Sequence, residues 1–157
     1  MTPGSRPFLK AHYTGKPDYV IPRLFQLDSE AKALYSKTME EIWQRCEEAL
    51  EMGFSYEQMH YMLPNALSVR FSESGDLLAM KHKMAMRLCY NAQEEIWQAS
   101  LDEALQISEV HPQIGRYLLP PCTIRKAAAT RPICPEGDRF CGVPVWRLKR
   151  EDYRRAI

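Results

Sequence analysis

The chain has 157 residues, 45% of them hydrophobic and 26% charged, with a formal net charge of +1. That length fits one domain with a respectable core, and the near-zero charge gives no global field that would select nucleic acid or an anionic membrane. No apolar run approaches the roughly 20 residues of a membrane span, and MTPGSRPFLK at the start lacks the apolar core of a secretory signal, so a cytoplasmic location is expected.

Residues 1–27 hold four prolines, Pro3, Pro7, Pro17 and Pro22, and predict an extended arm with at most a short strand at DYVIP. Asp28 and Ser29 then offer N-cap oxygens, and Glu30 suits the positive end of a helix dipole. Ala31, Leu34, Tyr35, Met39, Ile42, Cys46 and Ala49 recur at helical spacing, so 29–52 reads as an amphipathic helix stopped by Gly53. SYEQ at 55–58 has the form of a capping box and opens a short helix that Pro64 must end. ALSVRFS alternates apolar and polar residues, the mark of a half-buried strand. After the turn ESGD, a helix capped by Ser74 or Asp76 is expected over about 77–109, ended by His111-Pro112, with PQIGRYL adding a further turn.

From Leu119 onward turn residues dominate and no period is sustained. Ile133, Phe140 and Trp146 give this segment something to bury, so it reads as ordered but irregular. The terminal WRLKREDYRRAI reads as a short solvated basic helix, or a phosphate or RNA contact. The expected class is α+β, mostly helical, with two long helices, a short strand between them and an irregular Cys/Pro-rich C-terminal segment. The expected organisation is an arm over 1–27, a core over 28–118 and a Cys-rich segment over 119–157 packed on that core.

Five cysteines are an odd number. Cys46 and Cys89 fall within predicted helices, where a lone thiol is commonly a small buried hydrophobe. Cys122, Cys134 and Cys141 each lie beside Pro or close to Gly, in a Cys-x11-Cys-x6-Cys arrangement. In a cytosolic protein such a group suggests metal or redox chemistry more than structural disulfides. Three thiolates with an outside ligand, conceivably His111, could hold zinc or an iron–sulfur cluster. The alternative is reduced thiols packed in a folded tail.

In the second long helix Arg87, Asn91, Glu94 and Gln98 share one face, and His82, Met86, Cys89 and Gln93 form the next strip. Either this is a solvated face, or Arg87 meets an anionic or imide-bearing ligand. A guanidinium stays charged and presents a planar donor fork that can stabilise negative charge on a heterocycle.

Three segments, EMGFSYEQMHYMLP, LSVRF and RLCYNAQEEI, follow the order and spacing of the C-terminal half of the flavin-dependent thymidylate synthases. The matching positions are Gly53, Glu57, Leu63, Pro64, Arg87, Ala92, Gln93, Glu95 and Ile96, and HYTGKPDYVIP resembles the segment before that family's first long helix. The resemblance covers roughly residues 12–105. It implies methylation of dUMP at C5, with reduced FAD as hydride donor and methylenetetrahydrofolate as carbon donor. It also implies homotetramers whose sites are assembled from several chains. Arg87 takes the place of the arginine that ionises the pyrimidine, with His60 and Gln93 beside it as substrate contacts. Asp76, His82 and Asn91 take flavin-lining places.

This sequence departs from the family pattern at several of those positions. His60 stands for an arginine, Asp76-Leu77-Leu78 for Asn-x-Arg, His82 for an asparagine and Asn91 for a histidine. The family's Arg-His-Arg signature lies almost wholly outside this sequence. The exchanges imply a changed ligand, a non-catalytic subunit, or a hetero-oligomer in which another chain completes the site.

Overall fold

The computed structural model describes residues 17–69 and 71–155, and the chain divides into two compact units, Met1–Phe71 and Ser72–Ile157. Most of the expected arm, residues 1–16, lies outside the described residues.

The first unit is built on α2, Ser29–Glu51, preceded by the one-turn helix α1, Arg23–Gln26, and followed by α3, Tyr56–Met59. Asp28 caps α2, its carboxylate accepting from the backbone N–H groups of Glu30 and Ala31, both at 2.9 Å. Gly53 leaves the helix at φ +93°, a left-handed conformation that suits glycine. The capping box of α3 is present: Ser55 accepts from the Gln58 backbone N–H, and Gln58 Oε1 accepts from the Ser55 backbone N–H at 2.8 Å. Cys46 and Met59 are buried together, with Ile42, Ala49, Leu50 and Leu63 packed around them. Tyr19, Tyr35 and Trp43 form a second contact, Tyr19 lying 6.0 Å from Tyr35 and 6.2 Å from Trp43 by ring centroid.

The strand expected at ALSVRFS does not form. Among the described residues β structure is one isolated antiparallel bridge, Tyr19 to Leu67. It is supported by hydrogen bonds from Val20 N–H to the Ala66 carbonyl (2.8 Å) and from Ser68 N–H to the Asp18 carbonyl (3.0 Å). Val69 and Phe71 are exposed. Alternation creates a buried face only where a sheet continues beside it, and here the pairing stops after one bridge. The fold is mainly helical rather than α+β.

The second unit holds α4, Leu77–Arg87, α5, Glu94–Val110, α6, Pro112–Gly115, and α7, Pro121–Ala127. Three 3-10 turns follow, at Gly137–Arg139, Val145–Arg147 and Arg150–Asp152. Asp76 caps α4 by accepting from the Ala79 backbone N–H at 2.8 Å. The single helix expected over 77–109 is two helices, interrupted at residues 88–93. Within the break the Ala92 N–H bonds the Cys89 carbonyl at 2.9 Å, and Leu88, Tyr90 and Trp97 are buried. Glu94 and Glu95 then occupy the first turn of α5, where the helix dipole favours negative charge.

Around the break lies the core of this unit: Met84, Leu88, Trp97, Leu101, Leu118 and Tyr153 belong to one buried cluster. Burying Trp97 alone is worth about 3 kcal/mol of transfer free energy. Lys83 ties α4 to α5, donating to Glu103 at 2.9 and 3.1 Å and to Glu73 at 2.6 Å.

Two expectations for the C-terminal third change. The irregular segment contains α7, with Pro121 at its first position, where a missing N–H is no loss. The terminal basic stretch is not a solvated helix either. Tyr153 is buried, the Arg154 backbone N–H donates to the Tyr90 hydroxyl at 3.1 Å, and Arg150 donates to the Gly115 carbonyl at 2.6 Å. No helix among the described residues is long and apolar enough to cross a membrane.

Candidate functional site

The break between α4 and α5 carries three of the residues singled out from the sequence, Arg87 just before it and Asn91 and Gln93 within it. Arg87 is exposed in the last turn of α4, and no described residue hydrogen-bonds or ion-pairs with it. Among the described residues its guanidinium is therefore not engaged in holding the fold. Gln93 sits at the N-cap of α5 without capping it and donates instead to Glu95 at 3.0 Å.

Asn91 turns away toward the C-terminal segment, its amide donating to the Arg139 carbonyl at 2.6 Å. Asp76 is engaged as the cap of α4. His60 ends α3 in the first unit, where its Nδ1 lies 3.2 Å from the Glu57 carbonyl oxygen. The structure thus brings Arg87, Asn91 and Gln93 into one short segment, while His60 belongs to the other unit.

His82 lines a groove between α4 and α7 of about 270 Å³, with Leu78, Lys81, Ala85, Ile124 and Arg125. Lys81 and His82 both reach the side of Ala85, which follows them by four and three residues. Lys81 and Arg125 give the groove positive charge. Both were missed in the sequence, Lys81 because it falls outside the strip of His82, Met86, Cys89 and Gln93.

A second cavity lies at the break itself and shares Pro121 with the groove. Cys89, Cys122, Cys134 and Cys141 all line it, with Asn91 and Phe140. None of the five cysteines is in a disulfide. Burial raises the pKa of the Cys89 and Cys122 thiols, and neighbouring cysteines add to the shift: Cys141 and Cys134 at Cys89, and Cys134 and Cys89 at Cys122.

The fourth thiol corrects the expectation of three thiolates joined by His111. His111 ends α5, is exposed, and does not line this cavity. Among the described residues no group of three or more His, Cys, Asp and Glu side chains is gathered as a single metal ion requires, so the expected one-ion site is not formed.

Residues 9–113 match the family model described as thymidylate synthase complementing protein, Thy1. The chain belongs to this family. Among curated Thy1 relatives, the flavin-dependent thymidylate synthase of Thermococcus onnurineus (strain NA1) is 28% identical over 142 residues, covering 88% of this chain and 55% of that protein. That of Pyrococcus abyssi (strain GE5 / Orsay) is 30% identical over 123 residues, 76% of this chain and 48% of that protein. That of Sulfurisphaera tokodaii is 27% identical over 100 residues, 64% of this chain and 39% of that protein. The chain spans about half the length of the curated relatives it matches. No solved structure matches it. The Thy1 match includes Arg87, the helix break and Cys89, and ends before Cys122, Cys134 and Cys141.

Proposed function

We propose that this Thy1 chain takes part in reductive C5-methylation of a uridine nucleotide, dUMP or a related pyrimidine, with FAD and a folate carbon donor. The observation that carries the reading is Arg87: it lies within the family match, is exposed at the end of α4, and is held by no described residue. A fixed guanidinium beside the N3–C4–O4 imide of a pyrimidine favours its ionised form, which raises electron density at C5 and makes that carbon the nucleophile. Gln93 supplies an amide to the same ring.

Bound FAD, once reduced, would supply hydride to the methylene group carried by C5. Lys81 and Arg125 offer it positive charge, with His82 beside them. At about 270 Å³ their groove lies just under the roughly 300–1,000 Å³ of small-molecule pockets, which suits a phosphate and an adjoining ring rather than a whole dinucleotide. A site completed by further copies of the chain, or by another chain, accords with this partial fit. The exposed Leu34, Met52, Tyr61 and Phe71 are apolar surface that an oligomer would cover.

A second reading is a scaffold subunit without flavin, favoured by the head of α4. There Asp76 places a carboxylate and Leu77 and Leu78 are exposed, an arrangement that disfavours phosphate. Full-length protein, alone and with its genomic neighbours, separates the two readings. A yellow preparation and a dUMP-dependent rise in melting temperature, lost in Arg87→Ala, support the enzyme. A colourless protein that takes up no flavin and shows no shift with dUMP overturns it.

A further inference from the structure

We propose that Cys89, Cys122, Cys134 and Cys141 are the four thiolate ligands of a cubane iron–sulfur cluster seated in the cavity they line. The inference is independent of the methylation reading, since three of the four residues lie beyond the Thy1 match and none contacts the groove of His82. What carries it is convergence. Four of the chain's five cysteines, separated by 32, 11 and 6 residues, come from three separate local structures to one space. Cys89 is in the helix break, Cys122 in the first turn of α7, and Cys134 and Cys141 flank the 3-10 turn Gly137–Arg139.

The fold spends specific interactions on this meeting. Asn91, two residues from Cys89, holds the Arg139 carbonyl at 2.6 Å and so anchors the loop that carries both Cys134 and Cys141. Beyond that bond, Gly137 and Gly142 adopt φ of +56° and +81°, turning the backbone on each side of the segment. Arg125, from the helix of Cys122, donates to the Pro132 carbonyl at 2.7 Å and fixes the approach to Cys134. A packed tail that merely contained cysteines would not need all four at one cavity, while the fifth, Cys46, is buried in the other unit.

Size and chemistry select the occupant. Only about 10 Å³ of the cavity admits the centre of a water molecule, so an organic ligand is excluded. A metal bonded to thiolate lies at about 2.3 Å from sulfur, well inside the contact distance that limits water, so a metal centre is not. One tetrahedral ion with that bond length holds its four sulfurs about 3.8 Å apart, and no group in the described residues is gathered that closely around a point. A cubane distributes its four thiolates over four separate irons and takes them further apart. Each thiol loses its proton as its sulfur–iron bond forms, and the lining offers no histidine or lysine to compete for the metal.

The test is to purify the full chain without air and incubate it with equal parts of ferrous and ferric iron and with sulfide, which together balance the oxidised cubane core. Iron and acid-labile sulfide are then measured after desalting. About four of each per chain are expected, with a broad visible absorption bleached by dithionite. Cys89→Ala, Cys122→Ala, Cys134→Ala and Cys141→Ala should each lower uptake at least several-fold, whereas Cys46→Ala should match the parent. Cys134 and Cys141 are partly exposed loop residues, so these two variants keep the test valid if Cys89→Ala or Cys122→Ala fails to fold. Uptake no greater than in the Cys134→Ala/Cys141→Ala double variant overturns the cluster, as does one zinc per chain without labile sulfide. Undiminished uptake by folded Cys89→Ala overturns the four-ligand assignment. Flavin content is scored separately, so failure here leaves the methylation reading untouched.

Discussion

The indole Nε1 of Trp97 donates to the backbone carbonyl of Leu88 at 3.2 Å, inside the core. Trp97 belongs to the first turn of α5 and Leu88 is the C-cap of α4, so a side chain of one helix satisfies a carbonyl left open where the other ends. Tyr90 stands edge-on to the same indole, centroids 5.3 Å apart. The segment carrying Arg87, Cys89, Asn91 and Gln93 is thereby shaped from within.

Trp97→Phe keeps an aromatic ring in the core but strands the Leu88 carbonyl. A loss of about 1–3 kcal/mol is expected, the cost of an unsatisfied buried acceptor with a smaller ring beside it. Urea unfolding followed by circular dichroism measures it. Hydrogen exchange should rise most at residues 88–93. An unchanged urea midpoint would show that the bond contributes nothing to holding the break.

Why so much of the first unit was legible is clear from Asp28, Gly53, Ser55 and Gln58. Each acts on backbone within a few residues, so sequence neighbours suffice to predict the cap, stop or box. Asp76 behaved in the same way. The break at 88–93 was not legible because the Leu88 carbonyl is satisfied across nine positions by a side chain, and apolar period alone passes through such an interruption. Glu94-Glu95 was the available signal of a new helix start.

The strand at ALSVRFS failed for the complementary reason, since alternation is necessary for a half-buried strand but a partner ladder must also exist. Cys89 was read as a buried hydrophobe because nothing local distinguishes a thiol in a helix from one at a cavity. Only the fold brings it to Cys122, Cys134 and Cys141. Arg87 and His82 were singled out by resemblance, whereas Lys81 and Arg125 became visible once α4 and α7 were side by side.

Gly115 is a position where size alone decides. A Cβ there would lie 2.6 Å from both Cα and Cβ of Ser108 on α5, distances no packed pair sustains. Gly115→Ala should therefore destabilise by about 2–3 kcal/mol, the range of core overpacking. Trimming the neighbour with Ser108→Gly should recover only part, because the Ser108 Cα remains in place. Thermal unfolding of the two single variants and the double variant checks this, and full recovery in the double would contradict it.

Arg155 fastens the C-terminal segment to the same break. It pairs with Glu94 at 3.0 Å, donates to the Ala92 carbonyl at 2.6 Å, and lies 5.6 Å from the Trp97 ring centroid. The two side chains are only 12% and 17% exposed, so removing one partner strands a charge that water reaches poorly. Arg155→Met and Glu94→Gln are each expected to destabilise by about 2 kcal/mol, discounted for the residual exposure, with the double variant losing less than their sum. A double-mutant cycle by urea denaturation reads the coupling. Strict additivity would mean that the pair does not act as one.

Alkaline pH should unfold the chain more readily than neutral pH, and Tyr153 supplies a way to see it. Burial raises its phenol above the ordinary value of 10.0, with the side-chain hydrogen bond between it and Thr123 acting in the opposite direction. The folded state therefore binds that proton more tightly than the unfolded chain does. The resulting stability is fully present below the unfolded value and is lost as pH rises through the folded one. Lys83 acts in the same direction from 10.5: burial lowers its pKa, but Glu73 and Glu103 outweigh burial and leave it raised. The thiols of metal-free Cys46 and Cys122, which are buried, and of half-buried Cys89 start earlier, from 9.0, and are raised by desolvation.

Tyr153→Phe removes one of these groups while keeping the ring. At neutral pH it gives up only a 3.4 Å contact with Thr123 and should change stability by less than about 1 kcal/mol. The urea midpoint of this variant should fall less between about pH 8 and pH 11 than that of the parent. If the two proteins lose stability in parallel over that interval, ionisation of Tyr153 is not among the events that open the fold.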